Sequence, residues 1–412
     1  MSSHADSMLP FGSPLPQVEC PACGAAQNQP VFYTQSSIPT HSCLLVDTAD
    51  EAHSHPSGTL ELSFCEVCGY IYNRRFEALE LTYRPGYEDQ QRFSRRFNQT
   101  SEELVSHLAR TYSLSGGIVL EIGCGKGDFL LDLCKLSKAR GIGIDPAWEC
   151  DRTIYSETSQ VEFIADYFRQ STFSRIPHSD HIALVCCRHT LEHIHKPLEF
   201  LRELRSSLRL GTSVFFQVPD AGRVFDKAAF EDVYYEHCGY FTSESLQRLF
   251  KRVGFEPTSI YKMHDDQYLC LEARAVATSD MEIQDSPAAY ELARTQTFAA
   301  AVNDRRLGWL KRFTGWEQQG KTIALLGSGS KCVAFLSLIT DTQKRPQCIK
   351  SIVDINPYRS GRYAPSIEIP ISQPNSLSLT KPDVVVAMNS AYREEIQIQL
   401  EELEVTAELL TL

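Results

Sequence analysis

The 412-residue chain contains no run of about 18 apolar residues, the length that a membrane-crossing helix requires. Its first thirty residues, with Pro, Ser, His and acidic groups, lack the basic start and apolar centre of a secretory leader. A cytoplasmic location is expected from both absences. Positive charge is also scarce: 40 Lys and Arg stand against 52 Asp and Glu, a formal net charge of −12. That balance opposes broad contact with a phosphate backbone, while a small anionic ligand in a local basic pocket stays compatible with it. No internal repeat or low-complexity tract interrupts the chain, and 42% apolar residues suffice for two or three cored domains.

Cysteine, in contrast, is plentiful. Of 14 in all, four stand in two pairs, Cys20-x2-Cys23 and Cys65-x2-Cys68, with 41 residues between the pairs. In a reducing compartment such pairs hold metal, not disulfides. They supply four thiolates for one tetrahedral Zn²⁺, and each pair is followed by a glycine, Gly24 or Gly69, that lets a turn aim its amides at sulfur. Four thiolates leave no open coordination position, so the metal reads as a structural staple. Residues 1–83 have only short strand-like runs such as Thr59-Leu-Glu-Leu-Ser-Phe64, and the metal would supply the folding energy that this zinc module lacks. The other ten cysteines, including Cys186 and Cys187, read as small buried apolar residues.

Residues 84–275 change to alternating helix and strand. Ser101 to Arg110 predicts a capped amphipathic helix, and Gly117 to Ile122 a buried strand. That strand runs into Gly123-x-Gly125-x-Gly127 and a helix from Asp128 to Lys135. Glycines there permit a tight turn and close approach of a cofactor. A second strand ends at Asp145, placed to accept both hydroxyls of a ribose; a third ends at Asp166, suited to adenine; a fourth, His181 to Cys187, leads into Arg188-His-Thr-Leu-Glu-His-Ile194. The glycine loop alone would also suit a dinucleotide dehydrogenase. With Glu121 before the glycines and Leu-Glu-His-Ile after the fourth strand, the stretch from about Leu104 to Glu272 resembles the class I S-adenosylmethionine-dependent methyltransferases. The resemblance implies a cofactor site made by Glu121, Gly123, Gly125, Gly127, Asp145, Asp166 and Arg188.

The run from Ala275 to Pro287 reads as a linker and residues 276–314 as a linking, largely helical segment. Residues 315–412 carry a strand, Lys321 to Leu326, then Gly327-Ser-Gly-Ser-Lys331, then strands near Ile349 to Asp354 and Asp383 to Met388. This is a second, smaller Rossmann-like α/β pattern. Its glycine loop could present amides and the Lys331 ammonium to a phosphate, or be a plain core-forming turn. The expected fold class is thus α/β: a class I methyltransferase domain, an N-terminal four-Cys zinc module and a smaller C-terminal Rossmann-like domain.

In that order the three parts resemble the nucleotide-linked ketosugar C-methyltransferases of deoxysugar biosynthesis. The shared stretches are Tyr234-Tyr235-Glu236-His237-Cys238-Gly239-Tyr240-Phe241 and Val353-Asp-Ile-Asn-Pro357 with Gly361 and Pro365. The resemblance implies His237 as general base, Glu236 orienting it or binding a substrate hydroxyl, His193 as a donor on the enolate side, and Tyr87 reaching into the site, with Tyr83 its possible substitute. Carbon methylation needs such groups, because a proton beside a carbonyl must be removed while the enolate oxygen is stabilised. The chain departs from the family's pattern in its last domain, where the residues around Lys331 differ and Ser366 follows Pro365. If a diphosphate is held there, Lys331, Arg359 and Arg362 are the nearest charges. The remaining readings are O- or N-methylation of another small metabolite, a zinc-ribbon protein that modifies RNA, and a scaffold without turnover. The acidic balance and the lack of a Lys/Arg stripe beside the cysteines count against RNA.

Overall fold

The computed structural model of the chain describes residues 18–27, 29–78, 81–152, 160–277, 287, 289–340 and 345–412. In the first part, β1 (Val18–Glu19) and β2 (Ala26–Gln27) make a two-stranded ribbon, while β3 (Val31–Pro39), β4 (Ser57–Phe64) and β5 (Ile71–Asn73) form an antiparallel meander. The next strands are β6 (Ile118–Ile122), β7 (Arg140–Ile144), β8 (Val161–Ile164), β9 (Ile182–Arg188) and β10 (Ser213–Pro219), followed by β11 (Gly239–Tyr240), β12 (Phe255–Met263) and β13 (Tyr268–Ala275). All but β11 join one seven-stranded sheet in the order β12-β13-β10-β9-β6-β7-β8. β6 to β10 are parallel and β12 and β13 antiparallel. The order reverses between β6 and β9, so the loops leaving those two strands open onto one crevice, the usual ligand position in such a sheet.

Why these residues form that sheet is clear from their burial. Every residue of β6 is buried, as are four of the five in β7, which is what parallel strands covered on both faces require. The helix expected from Ser101 begins earlier, at Arg95, and runs to Thr111. Ser94 is the residue that caps it: its Oγ accepts from the Phe97 amide at 3.1 Å, and Ser101 lies within the helix.

β11 does not stay with its neighbours in sequence. It pairs with β5, so the N-terminal sheet takes an edge strand from residues 239–240, directly after His237. The two parts are therefore woven together across the boundary expected at residue 83.

The last strands, β14 (Ile323–Leu326), β15 (Ile349–Val353), β16 (Ile371–Ser372), β17 (Val384–Ala387) and β18 (Glu408–Thr411), form an all-parallel sheet in the order β16-β15-β14-β17-β18. Most of the expected linker, residues 278–286, lies outside the described residues, as does residue 288. Beyond it, Ala289–Gln318 is one helix of 30 residues, and it is more than a connection. Phe298, Val302, Trp309, Phe313 and Trp316 form a buried stripe at helical spacing. The cluster that they enter contains Tyr33 and Leu60 of the first part, Phe225 of the second and Ile323 and Phe335 of the third. Among the described residues no helix is long and apolar enough to cross a membrane.

Phe298 is the clearest joint: fully buried, its ring lies 4.8 Å from that of Phe225 and 5.2 Å from that of Tyr33. Phe298→Ala is expected to destabilise the chain by about 3–5 kcal/mol. Denaturant unfolding would measure it; a loss below about 1 kcal/mol would mean that the helix does not tie the parts together.

Candidate active site

A cavity of about 860 Å³ lies at the carboxyl edge of the central sheet, and its wall draws on all three parts of the chain. The glycine loop forms one side. Gly123, Gly125 and Gly127 have φ of 71°, 53° and 86°, the left-handed region that favours glycine. Two of them also have no room for a side chain: a Cβ on Gly123 would lie 1.9 Å from the Thr190 hydroxyl, and one on Gly127 2.4 Å from the Phe163 ring. Gly125 faces open space instead. Gly127 begins the helix Asp128–Ser137 without a side-chain cap.

The acids expected around the loop are gathered here. Asp145 accepts from the Gly125 amide at 2.8 Å and from the Ala147 amide at 2.7 Å, tying the end of β7 to the loop after β6. Glu121 is buried, its Oε2 has no hydrogen-bond partner, and burial pushes its carboxyl up to about 8 against the pull of Arg188. Arg188 lies over the Phe129 ring and donates to Gln217 at 3.1 Å. Asp166, after β8, accepts from the Tyr167 amide at 2.8 Å and meets Arg175 at 3.3 Å. Glu121, Gly123, Gly125, Asp145, Asp166 and Arg188 are all on the cavity wall; Gly127 lies behind it. An orphaned buried carboxylate and an open-faced glycine fit a ligand that carries a cationic amine and a ribose.

The other side of the cavity holds the histidines. His237 is buried, and its Nε2 meets the Tyr234 hydroxyl at 2.7 Å. Its ring lies 4.9 Å from that of His193, whose Nδ1 meets the Tyr83 hydroxyl at 2.8 Å. Burial keeps both imidazoles neutral, holding His193 down at about 4 and His237 well below the usual histidine range.

Glu236 is fully buried and lies behind the wall. Tyr87 donates to its Oε1 at 2.8 Å, and Ser42 donates to its Oε2 through the amide, at 2.8 Å, and through the hydroxyl. Burial raises this carboxyl to about 7 in spite of those donors. Tyr87 itself lines the cavity with its hydroxyl turned to Glu236. Sequence reasoning assigned no role to Ser42, Tyr234 or Glu192. Tyr234 stood within the aromatic-Glu-His run and Glu192 within Leu-Glu-His-Ile; Ser42 gave no signal of its own.

The four cysteines come together away from this cavity. Cys20 and Cys68 have their sulfurs 3.7 Å apart, as do Cys23 and Cys65, and all four lie within 4.8 Å of one another. Zn–S bonds of about 2.3 Å in a tetrahedron imply S···S edges of about 3.8 Å. The donor set therefore fits zinc. Gly24 and Gly69 adopt φ of 76° and 72°, closing the turn after each pair.

Of the three charges expected for a diphosphate, Lys331 is held by Asp232, and Arg362 pairs with Asp47 at 2.6 Å off the cavity wall. Arg359 is on the wall, buried, with Nε and Nη2 lacking a hydrogen-bond partner.

Comparison with known proteins agrees with this geometry. Residues 91–260 match the family described as a methyltransferase domain, and residues 274–408 match the C-methyltransferase C-terminal domain. The chain is an S-adenosylmethionine-dependent methyltransferase whose last part is similar to the C-terminal domain of C-methyltransferases. Among individual proteins it is similar to the C-methyltransferase NovU of Streptomyces niveus, 25% identical over 398 residues that cover 92% of this chain and 91% of the relative. Solved structures that overlap it include an S-adenosylmethionine dependent methyltransferase from Listeria monocytogenes, at 15% identity over 44% of this chain and 100% of that one, with a TM-score of 0.35. Another is magnesium protoporphyrin IX methyltransferase from Synechocystis PCC 6803, at 15% identity over 44% of this chain and 80% of that one, with a TM-score of 0.33.

Asp145→Ala would free the Gly125 and Ala147 amides and remove the acid expected to meet a ribose. Binding of S-adenosylhomocysteine, measured by calorimetry, is expected to weaken about 10- to 100-fold. Unchanged affinity would place the cofactor elsewhere.

Proposed function

We propose that the chain takes a proton from the carbon beside a ketone and methylates that carbon, on a nucleotide-linked deoxyketosugar in secondary-metabolite or surface-glycan biosynthesis. The observation that carries this reading is His237. Its other ring nitrogen faces the Asp232 carbonyl, so Nε2 is the acceptor of the Tyr234 hydroxyl at the cavity and can take a proton there. Burial makes the resting imidazole a weak base. Negative charge developing on a substrate beside it would favour the imidazolium and restore its strength.

The other residues support that task. Glu236, held by Ser42 and Tyr87, fixes the backbone from which His237 projects. His193, with Nδ1 committed to Tyr83, positions one wall beside the base, and Tyr87 covers the same space from the N-terminal part. Glu121, Gly123, Gly125, Gly127, Asp145, Asp166 and Arg188 form the cofactor side. S-adenosylmethionine supplies an electrophilic methyl group when bound. Arg359, which lines the wall with Nε 3.8 Å from Asp354 and Nη2 without a hydrogen-bond partner, is the charge best disposed toward the diphosphate. Zinc on Cys20, Cys23, Cys65 and Cys68 would act as a staple, leaving no open position for chemistry.

Solvent deuterium uptake at the α-carbon of a ketosugar, measured without S-adenosylmethionine, tests the reading. Uptake is expected with the native enzyme and should fall by about 10²–10⁴ in His237→Ala. A His237→Ala enzyme that still methylates at the native rate would point to O- or N-methylation driven by proximity, and so contradict the proposal.

A further inference from the structure

Glu192 differs from every other acid discussed above. It is 2% exposed, it lines the cavity, and neither of its carboxyl oxygens has a hydrogen-bond partner. Burying an unpaired acid is costly, so its place calls for a partner that arrives from outside. The surroundings narrow that partner. Oε1 lies 3.8 Å from His189 Nδ1 and 4.0 Å from His237 Nε2, and Glu192, His193 and His237 offer ligand atoms within 4.8 Å of one another. His189 holds a left-handed backbone, φ 48°, at the end of β9, a conformation that a non-glycine residue keeps only where its surroundings impose it.

Two kinds of partner suit a carboxyl among imidazoles: a metal cation, or an acceptor for the acid's own proton. A cation that prefers imidazole, such as zinc, takes three or more protein donors. His193 Nδ1 meets the Tyr83 hydroxyl at 2.8 Å and its other ring nitrogen faces the Glu236 carbonyl, while a cation on His237 Nε2 would take the lone pair that the base needs, which leaves Glu192 and His189. That set is too small. The second choice agrees with the charges: burial pushes Glu192 up to about 8 and holds His189 down at about 3, so no charged imidazole keeps the carboxyl ionised. An O–H that no protein atom accepts is then left at the cavity beside His237.

We propose that Glu192, as a neutral carboxylic acid, donates a hydrogen bond to the ketone oxygen of the substrate. The proposal rests on the C-methylation reading. His237 takes the α-proton, the C–H electron pair moves toward the carbonyl oxygen, and the Glu192 O–H meets the charge that develops there while keeping its own proton. Such a donor strengthens as the enolate forms, and this makes it worth more in the transition state than in the ground state. His193, with Nδ1 already bonded, is then a positioning residue beside this donor.

Three measurements on the full chain test the assignment. Infrared difference spectra between the native enzyme and Glu192→Gln, taken without substrate, should contain a carboxylic-acid carbonyl band that the variant lacks. With a nucleoside-diphosphate 4-keto-6-deoxyhexose as probe, α-deuterium uptake should fall by about 10²–10³ in Glu192→Ala. It should stay within about tenfold of native in Glu192→Gln, whose amide still donates. S-adenosylhomocysteine affinity and metal content per chain should match the native values in both variants. Native-rate exchange by Glu192→Ala, or no carboxylic-acid band, would overturn the donor while leaving the C-methylation reading intact. Loss of one metal equivalent in Glu192→Ala would overturn it in favour of a cation. A native enzyme that exchanges no α-proton and methylates oxygen or nitrogen would remove the C-methylation reading, and the donor's role with it.

Discussion

The buried carboxylate of Glu236 is the constraint on which the site depends. It lies three residues before β11, which is paired into the N-terminal sheet, and its oxygens receive donors from Ser42 and Tyr87 of the N-terminal part. An acid with no exposed surface is tolerable only where such donors are supplied. His237, the next residue, therefore has little freedom in where its ring projects. The N-terminal part thus reaches the site through Ser42 and Tyr87, which hold Glu236.

The cavity divides its labour by strand. Loops after β6, β7 and β8 present glycines and carboxylates, a set suited to a nucleoside-bearing cofactor. The loop after β9 and the segment before β11 present histidines and tyrosines. Residues after β14 and β15 close the remaining side with Gly327, Lys331 and Arg359. The buried acids of the wall differ in their partners: Asp145 accepts two backbone amides, whereas Glu121 and Glu192 carry unpartnered oxygens and are pushed up to about 8. Burial pushes all three carboxyls upward, and at Asp145 the two amides oppose it.

The sequence made the contiguous features legible. Gly123, Gly125 and Gly127 are required by backbone angles within one loop, and the two Cys-x2-Cys pairs by turns of four residues, so spacing alone conveys them. The parallel strands β6, β7 and β9 were visible as apolar runs to within a residue or two. Features set by contacts distant in the chain were not. Ser94 and Ser101 are both good caps by type, and the structure uses the former. β11 has two residues, too few for any periodicity to show. The stripe on Ala289–Gln318 is helical in spacing, yet nothing in it told that three parts would pack on it. Lys331, Arg359 and Arg362 looked alike in sequence, yet Asp232 and Asp47 pair closely with the first and last, while Arg359 has Asp354 at 3.8 Å and keeps an unpartnered Nη2.

The central claim is transfer of a methyl group to carbon beside a ketone. Its most direct test is mass spectrometry of nucleotide-linked ketosugars and other small metabolites incubated with the enzyme and methyl-labelled S-adenosylmethionine. The account predicts a gain of one labelled methyl on a ketosugar, placed by fragmentation or NMR on a carbon adjacent to the carbonyl. A labelled methyl found on oxygen or nitrogen, with every ketosugar left unchanged, would contradict it.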